Sequence, residues 1–260
     1  MEGPLLEVKG IGKSFGGLTA LSHVDLQVFQ REIVGLIGPN GAGKTTLFNV
    51  IAGNIRQDLG KIYFEGRNFS RLKPFKRCRL GIARTYQNAR PFLDFSVEQN
   101  LMVGLRYGRG KGHLSSADLY KNGREILSLL GLEDKRHELA KNLTLVDRKL
   151  LEIARALATN PKLLLLDEVL SGLNPVELEK AIILIKTLWG TFSLTIIWIE
   201  HIMHALLSIC DRFVVLNYGL KLTEGRPDKV VSDEQVIEAY LGKAGKRLAE
   251  RAGKPDALAE

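Results

Sequence analysis

The chain has few cysteines, few prolines and no long apolar run, and each shortage excludes a class of protein. Its 260 residues include two cysteines, Cys78 and Cys210, too few for a disulfide framework. The eight prolines and the hydrophobic fraction of 45% exclude a collagen-like or disordered chain. No apolar run approaches the roughly 18–20 residues that span a bilayer, and residues 1–9 lack the apolar core of a signal peptide. The sequence therefore predicts a soluble, intracellular globular protein.

Acidic residues are missing from one stretch, residues 66–90. It contains eight basic residues, as many as the formal net charge of +8: Arg67, Arg71, Lys73, Lys76, Arg77, Arg79, Arg84 and Arg90. A nucleic-acid-binding patch would combine such a stretch with stacking aromatics or a recognition helix. Two interpretations remain open, a solvated basic face and a docking surface for a partner or for anionic lipid headgroups.

Strands and helices alternate along the chain, which predicts an α/β fold. Short apolar segments indicate strands at residues 6–8, 24–28, 33–36, 62–64, 82–86, 163–166, 194–199 and 213–216. Apolar residues at helical spacing predict helices at residues 44–52, 97–105, 117–130 and 148–157. Asn174, Pro175 and Glu177 form the start signal of a further helix, which we expect to end before Gly190. Ser232 is the expected N-cap of a final helix that runs to residue 240.

A glycine-rich loop follows the strand at 33–36 and opens the helix at 44–52. Gly38-Pro39-Asn40-Gly41-Ala42-Gly43-Lys44-Thr45 fits the phosphate-binding loop pattern in the required strand–loop–helix context, and Thr46 follows it. Gly41 and Gly43 let backbone N–H groups approach phosphate oxygens, and the helix adds the positive end of its dipole. Lys44 supplies a cation for the β and γ phosphates, and Thr45 supplies a hydroxyl for Mg²⁺. The loop predicts a nucleoside triphosphate site.

A pair of acidic residues follows four consecutive leucines. The strand at 163–166 is uniformly apolar, which is typical of a strand buried on both faces of a parallel sheet. Asp167 at its carboxyl end can hold Mg²⁺, and Glu168 can orient or deprotonate an attacking water. Together with the loop at 38–45, the pair predicts the hydrolysis of a nucleoside triphosphate.

The order and spacing of these motifs resemble the ATP-binding subunits of ABC (ATP-binding cassette) transporters over about residues 5–242. The resemblance implies a P-loop ATPase core at about 1–90 and 161–242, with an N-terminal antiparallel β subdomain. It also implies an inserted α-helical subdomain at about 91–160 and a charged tail at 243–260, which we expect to fray.

Further residues match the same family. Phe15 matches the aromatic that stacks on adenine, and Gln87 matches the glutamine that reaches Mg²⁺ and couples to the membrane subunits. His201 matches the histidine that contacts the γ-phosphate, and the segment from Ser171 to Asn174 resembles the loop that crosses to the dimer partner. The alternatives are a core position for Phe15, a surface polar residue at Gln87 and a structural strand-end histidine at His201. Residues 44, 168 and 201 are the expected catalytic set, and Thr45, Gln87 and Asp167 the expected metal ligands.

The family signature, usually Leu-Ser-Gly-Gly-Gln, departs from its pattern here. It aligns with Leu143-Thr144-Leu145-Val146-Asp147, which keeps a hydroxyl but has lost both glycines. Leu145 and Val146 restrict close approach and positive φ, and the Asp147 carboxylate repels a phosphate unless it points away. We therefore expect this chain to work in a heterodimer with a second ATPase subunit whose signature is intact. The alternative is a tolerated variant of the signature.

Four segments, at residues 15–20, 45–49, 83–88 and 236–242, resemble the branched-chain amino acid importers among ABC transporters. That resemblance implies ATP and Mg²⁺ as cofactors, separate integral-membrane permeases, an extracytoplasmic solute-binding protein and no nucleic acid partner. It also implies a peripheral position on the cytoplasmic face of the inner membrane. The alternatives are the ATPase of lipopolysaccharide export, a non-transport ABC ATPase acting on nucleic acid or ribosomes, and a nucleotide-binding regulatory subunit without turnover.

Overall fold

A computed structural model of the chain describes residues 3–87, 89–110 and 115–240. The tail predicted at 243–260 lies outside these residues. The strands, in chain order, are β1 Leu6–Phe15, β2 Leu18–Val28, β3 Ile33–Ile37, β4 Leu59–Phe64, β5 Arg67–Asn68, β6 Ile82–Arg84, β7 Leu163–Asp167, β8 Thr195–Ile199, β9 Arg212–Asn217 and β10 Leu220–Gly225. The helices are α1 Lys44–Ala52, α2 Pro74–Leu80, α3 Val97–Tyr107, α4 Ser116–Leu129, α5 Leu145–Ala158, α6 Pro175–Thr191, α7 Met203–Ile209 and α8 Pro227–Val230. Residues 234–240 are also helical.

The chain divides into two compact units. The first unit comprises Met1–Leu72 and Thr195–Glu260, and the second unit is Lys73–Leu194. Along the described part of the chain, no helix has the length and apolar character that crossing a membrane requires.

The first unit contains an antiparallel sheet and a largely parallel one. Strands β2, β1, β4 and β5 form the antiparallel sheet in that order, with Leu6 opposite Val28 on one side and Phe64 on the other. Strand β3 runs parallel to both β8 and β9, and β9 pairs antiparallel with β10. All five residues of β3 and all five of β8 are buried, as expected for strands with both faces covered.

The second unit combines a short parallel strand pair with a group of helices. Strands β6 and β7 are parallel, with Arg84 opposite Leu165. Helix α3 packs against α4 and α5. The backbones of α3 and α5 are close at Gly104, where a Cβ atom would be 2.8 Å from the carbonyl oxygen of Arg155. The pairing of Arg84 with Leu165 places the residues that follow β6 beside those that follow β7.

Several predicted helix boundaries are wrong: α3 continues to Tyr107, beyond residue 105, and α5 begins at Leu145, three residues before 148. Helix α6 does begin with Asn174 as N-cap in a capping box with Glu177, but it continues through Gly190 to Thr191. The N-cap of the helical residues 234–240 is Asp233, whose carboxylate accepts the backbone N–H of Gln235 at 2.8 Å. The Ser232 hydroxyl donates instead to backbone carbonyls of the preceding turn, at Asp228 and Lys229.

Candidate functional site

The phosphate-binding loop leaves β3 and enters α1, as predicted. Gly38 has a φ of +146°, and a Cβ there would lie 2.1 Å from the carbonyl oxygen of Leu216. Gly43 is the N-cap of α1 with a φ of +102°, and a Cβ there would lie 2.6 Å from the carbonyl oxygen of Ala20. Only glycine fits both the backbone angle and the space at these two positions. Helix α1 spans the predicted residues and ends at the predicted Gly53.

Lys44 is the first residue of α1, and its side chain folds back into the loop. The residue is only 6% exposed, and its Nζ donates to the carbonyl oxygens of Gly38 at 2.5 Å and Pro39 at 3.0 Å. The ammonium group is therefore held at the loop backbone, with the exposed Thr45 next along the helix. A cation and a hydroxyl at a helix N-terminus form an arrangement that can bind phosphate.

A tyrosine from the C-terminal part of the first unit also contacts this loop. The backbone N–H of Gly38 donates to the Tyr240 hydroxyl at 2.7 Å. Burial raises the pKa of Tyr240 more than the Gly38 N–H lowers it. Sequence reasoning missed this contact because 202 residues separate the two groups and no local pattern marks such a pair.

The two remaining predicted site residues of the first unit are both exposed. Phe15, at the end of β1, is 46% exposed, with the Lys13 Nζ 5.3 Å from the centroid of its ring. The core alternative for Phe15 is therefore wrong. His201 follows β8, and its backbone N–H donates at 3.1 Å to the buried carboxylate of Glu200.

In the second unit, Asp167 lies at the carboxyl end of β7 and forms a buried ion pair. Its Oδ2 is 2.7 Å from Nη2 of Arg84, at the end of β6, and the side chains are only 3% and 6% exposed. The Thr85 hydroxyl accepts the Asp167 backbone N–H at 3.1 Å. Sequence reasoning counted Arg84 among a basic face, because no local pattern shows that β6 and β7 are neighbours.

Glu168 is held in an uncommon backbone conformation directly after this strand. Its φ is +48°, in the left-handed region that few residues other than glycine adopt. Its Oε2 accepts a hydrogen bond of 2.6 Å from Nε2 of Gln87. The structure thus brings together Gln87 and Glu168, which are 81 residues apart in sequence.

The altered signature segment forms the start of α5. Thr144 is the N-cap, and its hydroxyl accepts the Asp147 N–H at 3.1 Å and donates to the Asp147 carboxylate at 2.7 Å. Oδ2 of Asp147 also lies 2.6 Å from the Lys135 Nζ. Burial raises the pKa of Asp147. Hydrogen bonds from Lys135 and Thr144, together with the positive charge of Lys135, lower it by more, so the pKa lies below its ordinary value.

This geometry corrects part of the argument about the missing glycines. Leu145 and Val146 are the first two helical residues of α5, and neither has a positive φ. The backbone here therefore needs no glycine, and Asp147 is neutralised by Lys135 rather than left as an uncompensated charge. The difference from glycine that remains is steric, because Leu145 is 63% exposed and its side chain occupies space that a glycine would leave open.

The segment that resembles the crossing loop is attached to α5. The Lys149 Nζ donates to the carbonyl oxygen and, at 2.9 Å, to the hydroxyl of Ser171. The Ser171 hydroxyl donates in turn to the carbonyl oxygen of Glu168 at 3.1 Å. Asn174 caps α6, as its position in the sequence predicts.

The basic stretch at residues 66–90 is not one solvated face. Arg77 is 2% exposed, within α2, and burial lowers its pKa to about 10. Arg84 is buried against Asp167, whereas Lys76 and Arg79 are exposed. The interpretation of an exposed basic surface therefore holds for only part of the stretch.

Comparison with known proteins yields matches along nearly the whole chain. The ABC transporter family profile matches residues 21–171, and that of the branched-chain amino acid ATP-binding cassette transporter matches residues 221–246. The high-affinity branched-chain amino acid transport ATP-binding protein LivG of Escherichia coli K12 is 38% identical over 255 residues, which cover 94% of this chain and all of LivG. BraF of Pseudomonas aeruginosa, a protein of the same description, is 36% identical over the same share of both chains. The lipopolysaccharide export ATP-binding protein LptB of Haemophilus influenzae is 35% identical over 92% of this chain and 97% of LptB.

Solved structures give the same result for the fold. The ADP conformation of an ATP-binding cassette of an ABC transporter matches with a TM-score of 0.82 and 31% identity, covering 92% of this chain and 99% of that one. A nucleotide-free cassette matches with a TM-score of 0.80 and 30% identity, covering 92% of this chain and all of the other.

Proposed function

Because the chain belongs to the ATP-binding subunits of ABC transporters, in the branched-chain amino acid group, we propose that it hydrolyses ATP to power uptake of branched-chain amino acids or a similar small polar solute. The solute passes through separate permeases, to which this chain binds on the cytoplasmic face of the membrane. The observation that carries the proposal is the match of nearly the whole chain to LivG, together with the separate match of residues 221–246.

ATP binding is assigned to the first unit. Adenine stacks on the exposed ring of Phe15, and the phosphates lie in the loop from Gly38 to Thr46. The Lys44 ammonium exchanges its bonds to the loop carbonyls for bonds to the β and γ phosphates. Support comes from Gly38 and Gly43, where only glycine fits the backbone of the loop, and from the dipole of α1.

Mg²⁺ is assigned to Thr45, Gln87 and Asp167. A hydroxyl, an amide carbonyl and a carboxylate are the hard oxygen donors that this ion prefers, so the residues fit the metal. When bound, the ion neutralises phosphate charge. Arg84 holds the Asp167 carboxylate in place at the end of β7.

Hydrolysis is assigned to Glu168 and His201. The water oxygen bonds to the γ-phosphorus while the bond to the bridging oxygen breaks and ADP leaves, and Glu168 accepts the proton that the water releases. His201 and Lys44 stabilise the negative charge on the transferred phosphoryl group. The hydrogen bond from Gln87 to Glu168 supports this assignment, because it links the proposed base to the segment that reaches the permeases in this family.

The experiment uses tagged Glu168→Gln protein, with ATP, to pull partners from detergent-solubilised native membranes. We expect ATP binding to be retained and hydrolysis to fall by about 100-fold or more, whereas the control Glu125→Gln, an exposed position on α4, hydrolyses normally. Two different permeases and a second ATPase among the recovered proteins would support the proposal. A single permease type with a lipid-export bridge would favour the lipopolysaccharide alternative, and ribosomes or nucleic acid would overturn the transport function.

A heterodimer is the second part of the proposal. The Leu145 and Val146 side chains stand where the family has glycines, and we assign to them a steric hindrance of the partner's γ-phosphate. The chain therefore pairs with a different ATPase subunit that offers an intact signature.

The double substitution Leu145→Gly and Val146→Gly tests this arrangement. If the side chains are the obstacle, the substitution raises the ATPase rate of the chain alone by about 10-fold, because close positioning governs the rate of phosphoryl transfer. The control Leu129→Gly changes another exposed leucine at a helix end. If the unaltered chain alone already hydrolyses ATP as fast as the mixed complex, the heterodimer proposal is wrong.

A further inference from the structure

Glu152, on helix α5, holds both ends of the segment that carries Gln87. Oε1 accepts the backbone N–H of Tyr86 at 2.6 Å, and Oε2 accepts the backbone N–H of Arg90 at 2.7 Å. These two amides lie on opposite sides of Gln87 in sequence. One carboxylate therefore holds the amides of Tyr86 and Arg90 close to each other.

Arg155, one turn further along α5, adds a second attachment to the same segment. Its Nη1 donates to the carbonyl oxygen of Arg90 at 2.6 Å, and its guanidinium carbon lies 4.8 Å from the centroid of the Phe92 ring. The N–H and the carbonyl group of Arg90 are thus both bound by side chains of α5. These contacts attach the segment to α5 through two of its side chains.

Glu152 is a costly residue for a merely structural position. The neighbouring residues Leu151 and Ile153 are apolar and buried, and Glu152 itself is only 6% exposed. Burial raises the pKa of Glu152 more than the two N–H donors and the nearby Arg155 and Arg90 charges lower it. An apolar side chain would avoid the cost of burying a carboxylate, but it would leave the N–H groups of Tyr86 and Arg90 without this acceptor.

Helix α5 and the segment that carries Gln87 connect two parts of the candidate site. At one end, α5 begins at Leu145 with Thr144 as its N-cap, in the signature segment. At the other, Gln87 donates to the carboxylate of Glu168 at 2.6 Å. Helix α5, the hydrogen bonds of Glu152 to the segment that carries Gln87, and the hydrogen bond from Gln87 to Glu168 therefore connect the start of α5 with the proposed base.

We propose that Glu152 is a positioning residue for ATP hydrolysis: its two hydrogen bonds place Gln87 against Glu168 and so tie the turnover of this subunit to the position of α5. Glu152 touches neither nucleotide nor metal in this role. The inference rests on the proposed function, since it assigns the effect to turnover rather than to ATP binding.

The test compares Glu152→Leu, which removes both acceptors, with Glu152→Gln, which keeps one acceptor oxygen, and with the exposed control Glu125→Gln. Amide hydrogen exchange at residues 86–90, the dissociation constant for ATP, kcat and the melting temperature are measured on the full chain. We expect kcat to fall by about 10- to 100-fold in Glu152→Leu, because small displacements of a positioning group have effects of this size. We expect the kcat of Glu152→Gln to lie between that of Glu152→Leu and that of the unaltered chain.

The dissociation constant for ATP measured without Mg²⁺ stays within about twofold, because the proposed phosphate contacts belong to the loop from Gly38 to Thr46 in the other unit. Exchange at residues 86 and 90 accelerates in Glu152→Leu and is unchanged in the control. Should Glu152→Leu fail to fold, Glu152→Gln and Arg155→Lys give the same comparison.

Accelerated exchange with an unchanged kcat would overturn the inference, because the segment would then be free without consequence. A parallel loss of kcat, ATP affinity and melting temperature would also overturn it, in favour of a structural role. If the unaltered chain hydrolyses no ATP in any complex, the proposed function fails and the inference fails with it. The exchange data would still report whether Glu152 holds the turn.

Discussion

The buried pair between Arg84 and Asp167 offers the sharpest quantitative prediction. Substitution of Arg84 by Met removes the guanidinium but keeps an apolar side chain of similar length beside Tyr86, whose ring centroid lies 5.0 Å from the Arg84 guanidinium carbon. The Asp167 carboxylate, 3% exposed, then remains buried without this cation. We expect a large loss of stability in the absence of nucleotide and metal.

The magnitude follows from the separation and the burial of the two groups. At 2.7 Å and an effective dielectric constant of about 20, Coulomb's law gives an attraction of about 6 kcal/mol. Removing both charges from water costs several kcal/mol per ion and offsets much of that attraction. Breaking a buried pair by removing one partner nevertheless costs about 3–5 kcal/mol, because the other charge stays buried. We therefore expect Arg84→Met to lower the free energy of unfolding by about 3–5 kcal/mol.

Urea denaturation of Arg84→Met, Asp167→Asn and the double variant measures this energy. The double variant leaves no net charge buried, so we expect its loss to be smaller than the sum of the single losses by about 2–3 kcal/mol. The control is the exposed pair Lys141–Asp94, with side chains 51% and 85% exposed, where Lys141→Met costs at most about 1 kcal/mol. A loss below about 1 kcal/mol in Arg84→Met, or additive single losses, would refute the reasoning.

Three further predictions concern single residues. Asp147→Asn lowers the free energy of unfolding by about 1–2 kcal/mol at pH 7. The lowered pKa of Asp147 makes this contribution fully present above its ordinary value of 3.8 and lost as the pH falls through the folded-state pKa, so urea titrations of the variant and the unaltered chain converge in acid. Tyr240→Phe removes the acceptor of the Gly38 N–H and weakens ATP binding by about 2- to 10-fold in calorimetry; unchanged affinity would show that the hydroxyl does not shape the loop. Arg77→Glu, at a 2% exposed position, lowers the melting temperature, whereas Arg79→Glu leaves it unchanged; equal melting temperatures would contradict the burial argument.

Local signals made several elements predictable. Helix α1 and its glycine end, and the capping box of Asn174 and Glu177, agree with the structure residue by residue. Such signals act over one helical turn, through hydrogen bonds that neighbouring residues make themselves. Helix α2, with the sequence Pro-Phe-Lys-Arg-Cys-Arg-Leu, was missed because its buried face includes Arg77 rather than a regular apolar pattern.

The candidate site likewise contains features that the sequence predicts and features that only the structure shows. By itself, the sequence determined the phosphate loop, the acidic pair and the family to which the chain belongs, because these features are contiguous and their residue types carry the chemistry. Only the tertiary structure decided which partner each buried charge finds, as in Arg84 with Asp167 and Glu152 with the amides on either side of Gln87. The Arg84–Asp167 contact joins groups 83 residues apart. The physical reason is that burial strengthens the attraction between paired charges and penalises an unpaired charge. A local sequence pattern shows neither which residues are buried nor which strands are neighbours.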